Sequence, residues 1–522
     1  MVKFNKYLNQ IIDKLKIISF NQTPKTIKSP QGTSKNNKLY SFHAKPQKTI
    51  SEYLIAGAIV MITPNYEYLV NEPHFSDEKS LQAYEKILEY KQIRKYSDES
   101  VTIENLLNAA EIAASELGFS EQFNKNSKIF EYYLNRDVLG YGLLNVMMND
   151  RKHLEDITCS NWNSVGVMHR DFLEHEVLRS NVKFDSREHM ETYLEDLARL
   201  GGKHISDSDP IIDVQLDNIY RVAIICSDTL SPKSPCFSIR LKSEKPLTLK
   251  HMFDGEIIPY SVIAVIWKFF DVLGTGLIVG GTGAGKSSLL NSLFPLLPKS
   301  AKIITIEDTA ELQVPQYDWT PLIIDASITS DDYTKRFEFL LDAILRHRPK
   351  MVGVGEVRGK SAKKLFDVIS TGHSALSSFH AYSAEGAKQR LITEIGVDEA
   401  SLTHLWFILN MATIITREKK IIRKCVSFDE VYFDGKKTTL VNLCRYNPSN
   451  DTFEGGDINN MISKSTRLSY ASSLDASTDM KSDLNDRIDF LKQIIIQNAD
   501  TPRKVMNLLS KYYDKKFSQD AS

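Results

Sequence analysis

The sequence predicts an α/β protein whose centre is a parallel, doubly wound sheet. Short apolar runs alternate with helical segments along residues 247–450, and this alternation is typical of parallel strands joined by crossover helices. One apolar run, residues 277–279, leads directly into a loop of small residues and then into a helix. Polar residues follow several of the other runs. Such a sheet binds its ligands at the carboxyl ends of the strands, so these polar residues are candidates for one site.

The loop after residue 279 carries the pattern G-x-x-x-x-G-K-[ST] between a strand and a helix. Glycines let backbone N–H groups turn towards a phosphate, and the helix adds its positive end. Lys286 is predicted to reach the β- and γ-phosphates of a nucleotide, and the Ser287 hydroxyl to ligate Mg²⁺. The predicted nucleotide-binding residues are Gly280, Gly281, Thr282, Gly283, Ala284, Gly285, Lys286, Ser287 and Ser288.

Composition excludes several broad classes. A chain of 522 residues accommodates two or three domains, and a net charge of −1 offers no global basic surface for nucleic acid. Five scattered cysteines without a C-x-x-C pair are typical of reduced thiols in a cytosolic protein, and they predict no zinc site. No apolar run approaches the roughly 20 residues that span a bilayer, and the N-terminus has no signal-peptide pattern.

Residues 1–50 are predicted to form a basic, flexible segment. They carry ten lysines and one acid, with apolar residues at helical spacing before a stretch rich in serine, asparagine and lysine. One interpretation is an amphipathic segment that contacts an anionic membrane face or a membrane partner. The other is a solvated tail with a weak helix, and the sequence favours neither.

The remaining chain divides into three predicted parts. Residues 51–246 alternate short strands with helices and are expected to form a first α/β domain. Residues 247–450 form the nucleotide domain. Residues 451–522 are expected to be a loose polar linker followed by two helices, of which one is capped at Ser482 and the other begins at Thr501-Pro502.

Acidic residues at strand ends are candidates for hydrolytic chemistry, since hydrolysis needs an acid near Mg²⁺ and a carboxylate that orients water. Glu307, Asp308 and Glu311 follow one strand, and Glu356 ends another. We assign Glu356 as the acid near Mg²⁺, with Asp308 as a further metal ligand. Glu307 or Glu311 is the predicted water-positioning group. These roles are interchangeable from the sequence alone, and Glu311 also fits a helix cap.

Two histidines and several arginines complete the candidate site. His373 and His380 flank the apolar run 374–379, and their predicted position at the ligand edge favours sensing of the γ-phosphate over a structural role. An arginine from a neighbouring domain or subunit would couple hydrolysis to motion, although each arginine taken alone fits an ordinary surface residue. The arginines considered are Arg221, Arg240, Arg346, Arg348 and Arg358.

Four motifs between residues 280 and 381 resemble the type II/type IV secretion ATPase superfamily. They are GGTGAGKSS, KIITIEDTAELQVP, LRHRP with VGVGEVRG, and TGHSALSSFHA. In that family they are the Walker A motif, the Asp box, the Walker B motif and the His box. Segments of the first domain, including RDVLGYGLLN and SIRLKSEKPLTL, are similar to the archaeal branch of the superfamily.

The resemblance implies a RecA-like P-loop ATPase domain behind a smaller PAS-like N-terminal domain. It implies a homo-hexamer that hydrolyses ATP with Mg²⁺ between the two domains, with Arg221 and Arg240 facing the nucleotide. Such motors assemble archaeal type IV pili or archaella, or drive secretion, through a polytopic membrane platform protein. They are cytoplasmic and associate with the cytoplasmic face of the membrane. A DNA-translocating or conjugative ATPase is the alternative, and the near-neutral charge disfavours it.

Overall fold

The computed structural model describes residues 42, 48–75, 77–90, 102–324, 330–357, 359, 361–416, 419–474 and 479–519. The chain forms two compact units, Met1–Glu244 and Lys245–Ser522. Most of the basic segment 1–50 lies outside the described residues, and so does the candidate Arg358.

The secondary structure follows the predicted alternation of strands and helices. In chain order the strands are β1 (Ser51–Ile55), β2 (Ala58–Ile62), β3 (Glu67–Asn71), β4 (Leu154–Asn161), β5 (Ser164–His169), β6 (Leu178–Ser180), β7 (Ile211–Leu216), β8 (Tyr220–Ile225), β9 (Cys236–Leu241), β10 (Thr275–Gly280), β11 (Ile303–Glu307), β12 (Trp319–Ile323), β13 (Met351–Val357), β14 (Ser374–His380), β15 (Leu405–Ile415), β16 (Ile421–Phe433), β17 (Thr438–Asn447) and β18 (Thr452–Glu454).

The α-helices are α1 (Glu78–Leu88), α2 (Ile103–Glu116), α3 (Ser120–Lys125), α4 (Ser127–Leu134), α5 (Asn145–Asn149), α6 (Arg187–Leu200), α7 (Leu249–Asp254), α8 (Tyr260–Asp271), α9 (Lys286–Leu293), α10 (Ser330–His347), α11 (Ser361–Ser370), α12 (Ala384–Arg390), α13 (Ile458–Lys464), α14 (Thr466–Leu474), α15 (Met480–Ile496) and α16 (Pro502–Gln519). Short 3₁₀ or π segments lie at Asn135–Leu139, Gly142–Leu144, Leu173–His175, Phe294–Leu296, Leu391–Ile395 and Ser401–His404. In the part of the chain that the structure describes, no helix is both long and apolar enough to cross a membrane.

The first unit contains a nine-stranded sheet with the strand order β1-β2-β3-β6-β5-β4-β9-β8-β7. Neighbouring strands are antiparallel except β3 and β6, which pair in parallel. Apolar residues of the sheet, such as Val60 and Val222, share one buried core with residues of the surrounding helices, such as Leu106 and Leu194. This unit is the predicted N-terminal α/β domain.

The second unit contains a nine-stranded sheet with the order β12-β11-β13-β14-β10-β15-β16-β17-β18. Six adjacent strands are parallel to one another, namely β12, β11, β13, β14, β10 and β15. Strands β16, β17 and β18 continue the sheet in antiparallel fashion. The prediction of a RecA-like α/β domain with a parallel sheet is confirmed. Strand β15 was not predicted, although its apolar run 405–411 is also typical of a buried parallel strand.

Helices cover both faces of this sheet, as a parallel sheet with apolar residues on both sides requires. Ile278 of β10 packs in the core with α8, α9, α15 and α16. Its neighbours Leu277 and Val279 point to the other face and pack in the core with α10, α11 and α12. Strand β10 is buried along its whole length, so the loop that follows it starts from a rigid support.

The expected loose linker after residue 450 instead contains β18, α13 and α14. Polar residues in this segment form hydrogen bonds at helix ends. Composition alone does not distinguish such helix-capping residues from those of a linker. The buried carboxylate of Glu430 accepts hydrogen bonds from the N–H and hydroxyl groups of Thr466, 3.0 and 2.6 Å away. Asp479, and not Ser482, caps α15, while Thr501 accepts the N–H of Lys504 at the start of α16, as predicted.

A buried network of charges connects the closing helices to α8. Lys268 Nζ lies 3.0 Å from Asp483 Oδ2, and Arg487 lies 2.5 Å from Asp271 and 3.3 Å from Asp483. The side chains of Lys268, Asp483 and Arg487 are at most 3% exposed. Because α8 leads directly into β10, this network fixes the helix that precedes the glycine-rich loop.

Candidate active site

The glycine-rich loop adopts a backbone that requires glycine. Gly280, Gly283 and Gly285 have φ angles of 153°, 72° and 90°, in the region that residues with a side chain rarely adopt. A Cβ on Gly280 would lie 2.3 Å from the carbonyl oxygen of Met411 on β15. The loop therefore presents bare backbone between β10 and α9, and this geometry fits a phosphate chain.

Lys286 is the first residue of α9 and is only 7% exposed. Its Nζ donates a hydrogen bond to the carbonyl oxygen of Gly281, 2.8 Å away, so the ammonium group lies over the loop. Burial lowers the pKa of Lys286, while the charges of Glu356 and Glu311 raise it in part. The lysine and these two carboxylates are therefore close enough to interact electrostatically, as the prediction of a shared site requires.

Glu356 and His380 meet at the ends of the neighbouring strands β13 and β14. His380 Nε2 lies 2.8 Å from Glu356 Oε1. A hydrogen bond of 2.6 Å from the Ser378 hydroxyl to the carbonyl oxygen of Gly355 fastens the two strands at the same level. The Glu356 side chain is 18% exposed and that of His380 45% exposed. The imidazole thus lies against a partly buried carboxylate and remains accessible to a ligand.

Glu307 organises the loop that follows β11. The residue is only 3% exposed, and its Oε1 accepts the N–H groups of Glu311 and Leu312 at 3.0 and 2.8 Å. Gly355 packs against it, since a Cβ there would lie 3.1 Å from Glu307 Cγ. Glu311 itself is exposed. Of the two candidate water-positioning residues, Glu311 is therefore the more accessible one. The Glu307 carboxylate fixes the backbone of Glu311 through the hydrogen bond to its N–H group.

Asp308 follows Glu307 and is partly buried. The hydroxyl of Tyr333 on α10 donates a hydrogen bond of 2.5 Å to Asp308 Oδ1. This tyrosine was not predicted from the sequence, because the contact joins a strand end to a helix 25 residues later. Tyr333 thereby restricts the orientation of one predicted metal ligand.

The structure corrects the position of His373. It precedes β14 and lies at the amino end of that strand, where Ser374 pairs with Met351 at the start of β13. Its Nδ1 lies 3.0 Å from the Thr371 hydroxyl. A strand of this length separates His373 from His380 by about 20 Å. The prediction that both histidines flank the ligand edge was therefore wrong for His373, because only the carboxyl end of a parallel strand reaches that edge.

The candidate arginines lie in different places. Arg221 and Arg240 belong to the first unit and form ion pairs there, with Asp213 at 2.6 Å and Asp156 at 3.2 Å. Arg346, in the last turn of α10, and Arg348 both precede β13. These two therefore lie at the amino edge of the parallel sheet, away from the glycine-rich loop.

Two side chains next to the loop were not predicted from the sequence. Tyr382 is 93% exposed, and its Cε1 lies 3.8 Å from the position of a Cβ on Gly281. Arg423 of β16 packs at the other end of the loop, with its Cδ 3.5 Å from the position of a Cβ on Gly285. Tyr382 stands two residues after His380, whereas Arg423 is brought there only by the pairing of distant strands.

The residues present fit a magnesium nucleotide. In the described ranges, no group of three or more His, Cys, Asp or Glu residues is placed to hold a metal ion by itself. Mg²⁺ usually takes one or two protein ligands and completes its shell with phosphate oxygens and water. Ser287, Asp308 and Glu356 are the predicted protein ligands, and the bare loop with its buried lysine suits the phosphates.

A glycine-rich loop between a buried strand and a helix, with acids at neighbouring strand ends, defines a P-loop nucleotide-binding protein with a RecA-like domain. A family model described as "Type II/IV secretion system protein" matches residues 270–449. The uncharacterized protein MJ1287 of Methanocaldococcus jannaschii is 33% identical over 204 residues, which cover 38% of this chain and 75% of that protein. The chain belongs to the type II/IV secretion ATPase superfamily.

Other relatives extend the likeness along the chain. MJ0900, another uncharacterized protein of Methanocaldococcus jannaschii, is 27% identical over 477 residues, covering 86% of this chain and 85% of that protein. The type IV secretion system protein VirB11 of Bartonella quintana is 26% identical over 283 residues, covering 46% of this chain and 77% of its own length. The X-ray structure of the Legionella pneumophila ATPase DotB aligns with 70% of this chain and 93% of its own, at 16% identity and a TM-score of 0.39.

Proposed function

We propose that the protein is an ATPase whose second unit hydrolyses ATP with Mg²⁺ and drives the assembly of a pilus-like filament, an archaellum or a secretion system. The contact of 2.8 Å between His380 and Glu356 carries this proposal. The contact joins a partly buried carboxylate to an accessible imidazole, and the charge of Glu356 acts on Lys286 of the loop. Family membership supports the motor, since the relatives include a type IV secretion protein.

The residues divide the work of hydrolysis. When bound, Mg²⁺ would offset the negative charge of the γ-phosphoryl group of ATP. The loop amides and Lys286 hold the phosphates, and Ser287 presents its hydroxyl to the metal. Glu356 would help to hold the metal, while the exposed Glu311 orients water and receives its proton. His380 keeps Glu356 oriented and shifts when the terminal phosphate arrives, which reports the bound state to the rest of the molecule.

The proposed motor is a homo-hexamer. In this proposal Arg221 and Arg240 supply positive charge to the terminal phosphate. The ring works on a polytopic membrane platform protein at the cytoplasmic face of the membrane. The basic residues 1–50 provide a peripheral contact with that face.

Turnover measurements test the enzymatic part of the proposal. Lys286→Ala is expected to abolish ATP hydrolysis, because the bound phosphates lose their main counter-charge. Nearly unchanged hydrolysis by this variant would contradict the assignment of the phosphate loop. Duplex DNA is added in a parallel assay, and strong stimulation of turnover would favour a DNA translocase instead.

Sedimentation tests the assembly part. With ATP, the full chain is expected to sediment as a ring of about six copies at micromolar concentration. A strict monomer under the same conditions would count against a ring motor. Affinity purification from the native membrane is expected to recover a polytopic membrane protein with the ring.

A further inference from the structure

The antiparallel end of the second sheet brings one arginine to the phosphate loop. Arg423 of β16 pairs with Thr413 of β15, and β15 runs parallel to β10 with Met411 opposite Gly280. The Cδ of Arg423 and the Cε of Met411 lie 3.5 and 3.6 Å from the position of a Cβ on Gly285. The arginine side chain therefore packs against the last glycine of the loop, next to Lys286.

The strand order indicates which end of a bound nucleotide lies on which side of β10. Strands β14 and β13, with His380 and Glu356 at their ends, lie on one side of β10, and β15 and β16 lie on the other. The groups that act on the terminal phosphate are thus all on the β14 side. The opposite end of the nucleotide, with its ribose and base, must then extend towards β15 and β16. Strand β16 is about 10 Å from β10, within reach of that end.

We propose that the guanidinium group of Arg423 stacks on the purine base of the nucleotide bound to the loop. This proposal rests on the proposed function. A guanidinium is planar and weakly hydrated, and it forms stacking and cation–π contacts that an ammonium group makes less well. Lys286 and the positive end of α9 already serve the phosphates. Arg423 therefore recognises the half of the ligand that the glycine-rich loop does not contact.

Binding of ADP and of pyrophosphate to the full chain, both with Mg²⁺, tests the proposal by calorimetry. Pyrophosphate has no base, so it reports the phosphate loop alone. Arg423→Met is expected to weaken ADP binding about 3- to 30-fold and to leave pyrophosphate binding unchanged. Arg423→Lys is expected to weaken ADP binding as well, because it keeps the charge and loses the plane. An equal loss for both ligands, or no loss for either, would overturn the base contact.

Two control variants separate this proposal from the proposed function. Arg445 is an exposed arginine on β17, so Arg445→Met is expected to leave both affinities unchanged. Lys286→Ala is expected to weaken ADP and pyrophosphate together, and failure of that result would reject the phosphate loop and not only Arg423. An unchanged thermal unfolding midpoint for Arg423→Met shows that its effect on binding does not arise from misfolding.

Discussion

Arg221 and Arg240 lie directly opposite each other on the antiparallel strands β8 and β9. Like charges at such a cross-strand pair repel, and two aspartates offset the repulsion. Asp213 lies 2.6 Å from Arg221, and Asp156 lies 3.2 Å from Arg240. The first unit thus holds two guanidinium groups at one point of its sheet, an arrangement that suits an anionic phosphate.

Replacement of either arginine by alanine is expected to lower ATP turnover by up to about 10³-fold, the scale observed when an arginine stabilises transferring phosphate. The ion pairs with aspartate are partly exposed and contribute at most about 1 kcal/mol. Exchange of an aspartate for a phosphate oxygen therefore costs little, and the fold is expected to tolerate both variants. Steady-state ATPase assays and thermal unfolding measure the two effects.

Arg187→Ala is a matched control for this prediction. Arg187 is also in the first unit and pairs with Glu191 and Asp228, and its removal is expected to leave turnover unchanged. If Arg221→Ala and Arg240→Ala both retained the wild-type rate, neither residue would belong to the active site.

The three glutamates near the loop are expected to respond differently to replacement by glutamine. Glu356→Gln and Glu311→Gln are expected to retain ADP binding and to slow turnover about 10²- to 10⁴-fold, since each removes a carboxylate that acts on water or metal. Glu307→Gln is expected to lower the thermal unfolding midpoint as well, because the Glu307 carboxylate accepts two backbone N–H groups. Loss of turnover by Glu307→Gln without any loss of stability would show that Glu307 is itself the water-positioning group.

His373, just before β14, and His380, at its carboxyl end, provide an internal comparison. His380→Asn removes the imidazole 2.8 Å from Glu356, and it is expected to lower kcat strongly with a smaller effect on KM. His373→Asn changes the opposite end of the same strand and is expected to leave both constants unchanged. Steady-state kinetics of the two variants measure this difference. Equal effects of the two substitutions would contradict the placement of only one histidine at the site.

The sequence predicted those parts of the site that depend on local order along the chain. The loop 280–287, Glu307 and Glu356 stand at the ends of short buried runs, and a strand followed by a polar residue is visible without knowledge of tertiary contacts. The error at His373 arose from treating both ends of one apolar run as equivalent. Strand direction distinguishes them, and the alternation of strands and helices already implied that direction.

Other features depend on pairing between distant segments. Arg423 reaches the loop only through the register of β15 with β10 and of β16 with β15. The turn that follows β11 directs the Glu307 carboxylate to backbone N–H groups. The sequence motif alone does not predict these hydrogen bonds. Helices α13 and α14 were predicted to be a loose segment, because short polar side chains are also typical of linkers. The cap that Glu430 provides at the start of α14 depends on a contact between distant residues.

Asp483 makes the stability of the second unit depend on pH. Burial alone would raise the pKa of this carboxyl group, but the charges of Arg487 and Lys268 and the hydrogen bond from Tyr512 lower it to about 2. The pKa of an unfolded aspartate is about 3.9. Between these values the unfolded chain binds more protons than the folded protein. The stabilisation by Asp483, about 2–3 kcal/mol, is therefore complete above pH ~5 and is lost as the pH falls towards 2.

Asp483→Asn tests this dependence by urea unfolding between pH 7 and pH 3. At pH 7 the variant is expected to lose about 3–5 kcal/mol, because Lys268 and Arg487 remain buried with one counter-charge removed. The difference from the wild type is expected to shrink as the pH approaches 3, since the carboxyl group of the unfolded wild-type chain then takes up a proton while the folded one, with a pKa of about 2, stays mostly ionised. Asp489→Asn is the control on the same helix, where a carboxylate 71% exposed pairs with Lys492 and its loss costs less than about 1 kcal/mol. A deficit for Asp483→Asn that stayed constant over this range would show that the substitution acts through packing and not through the charge of Asp483.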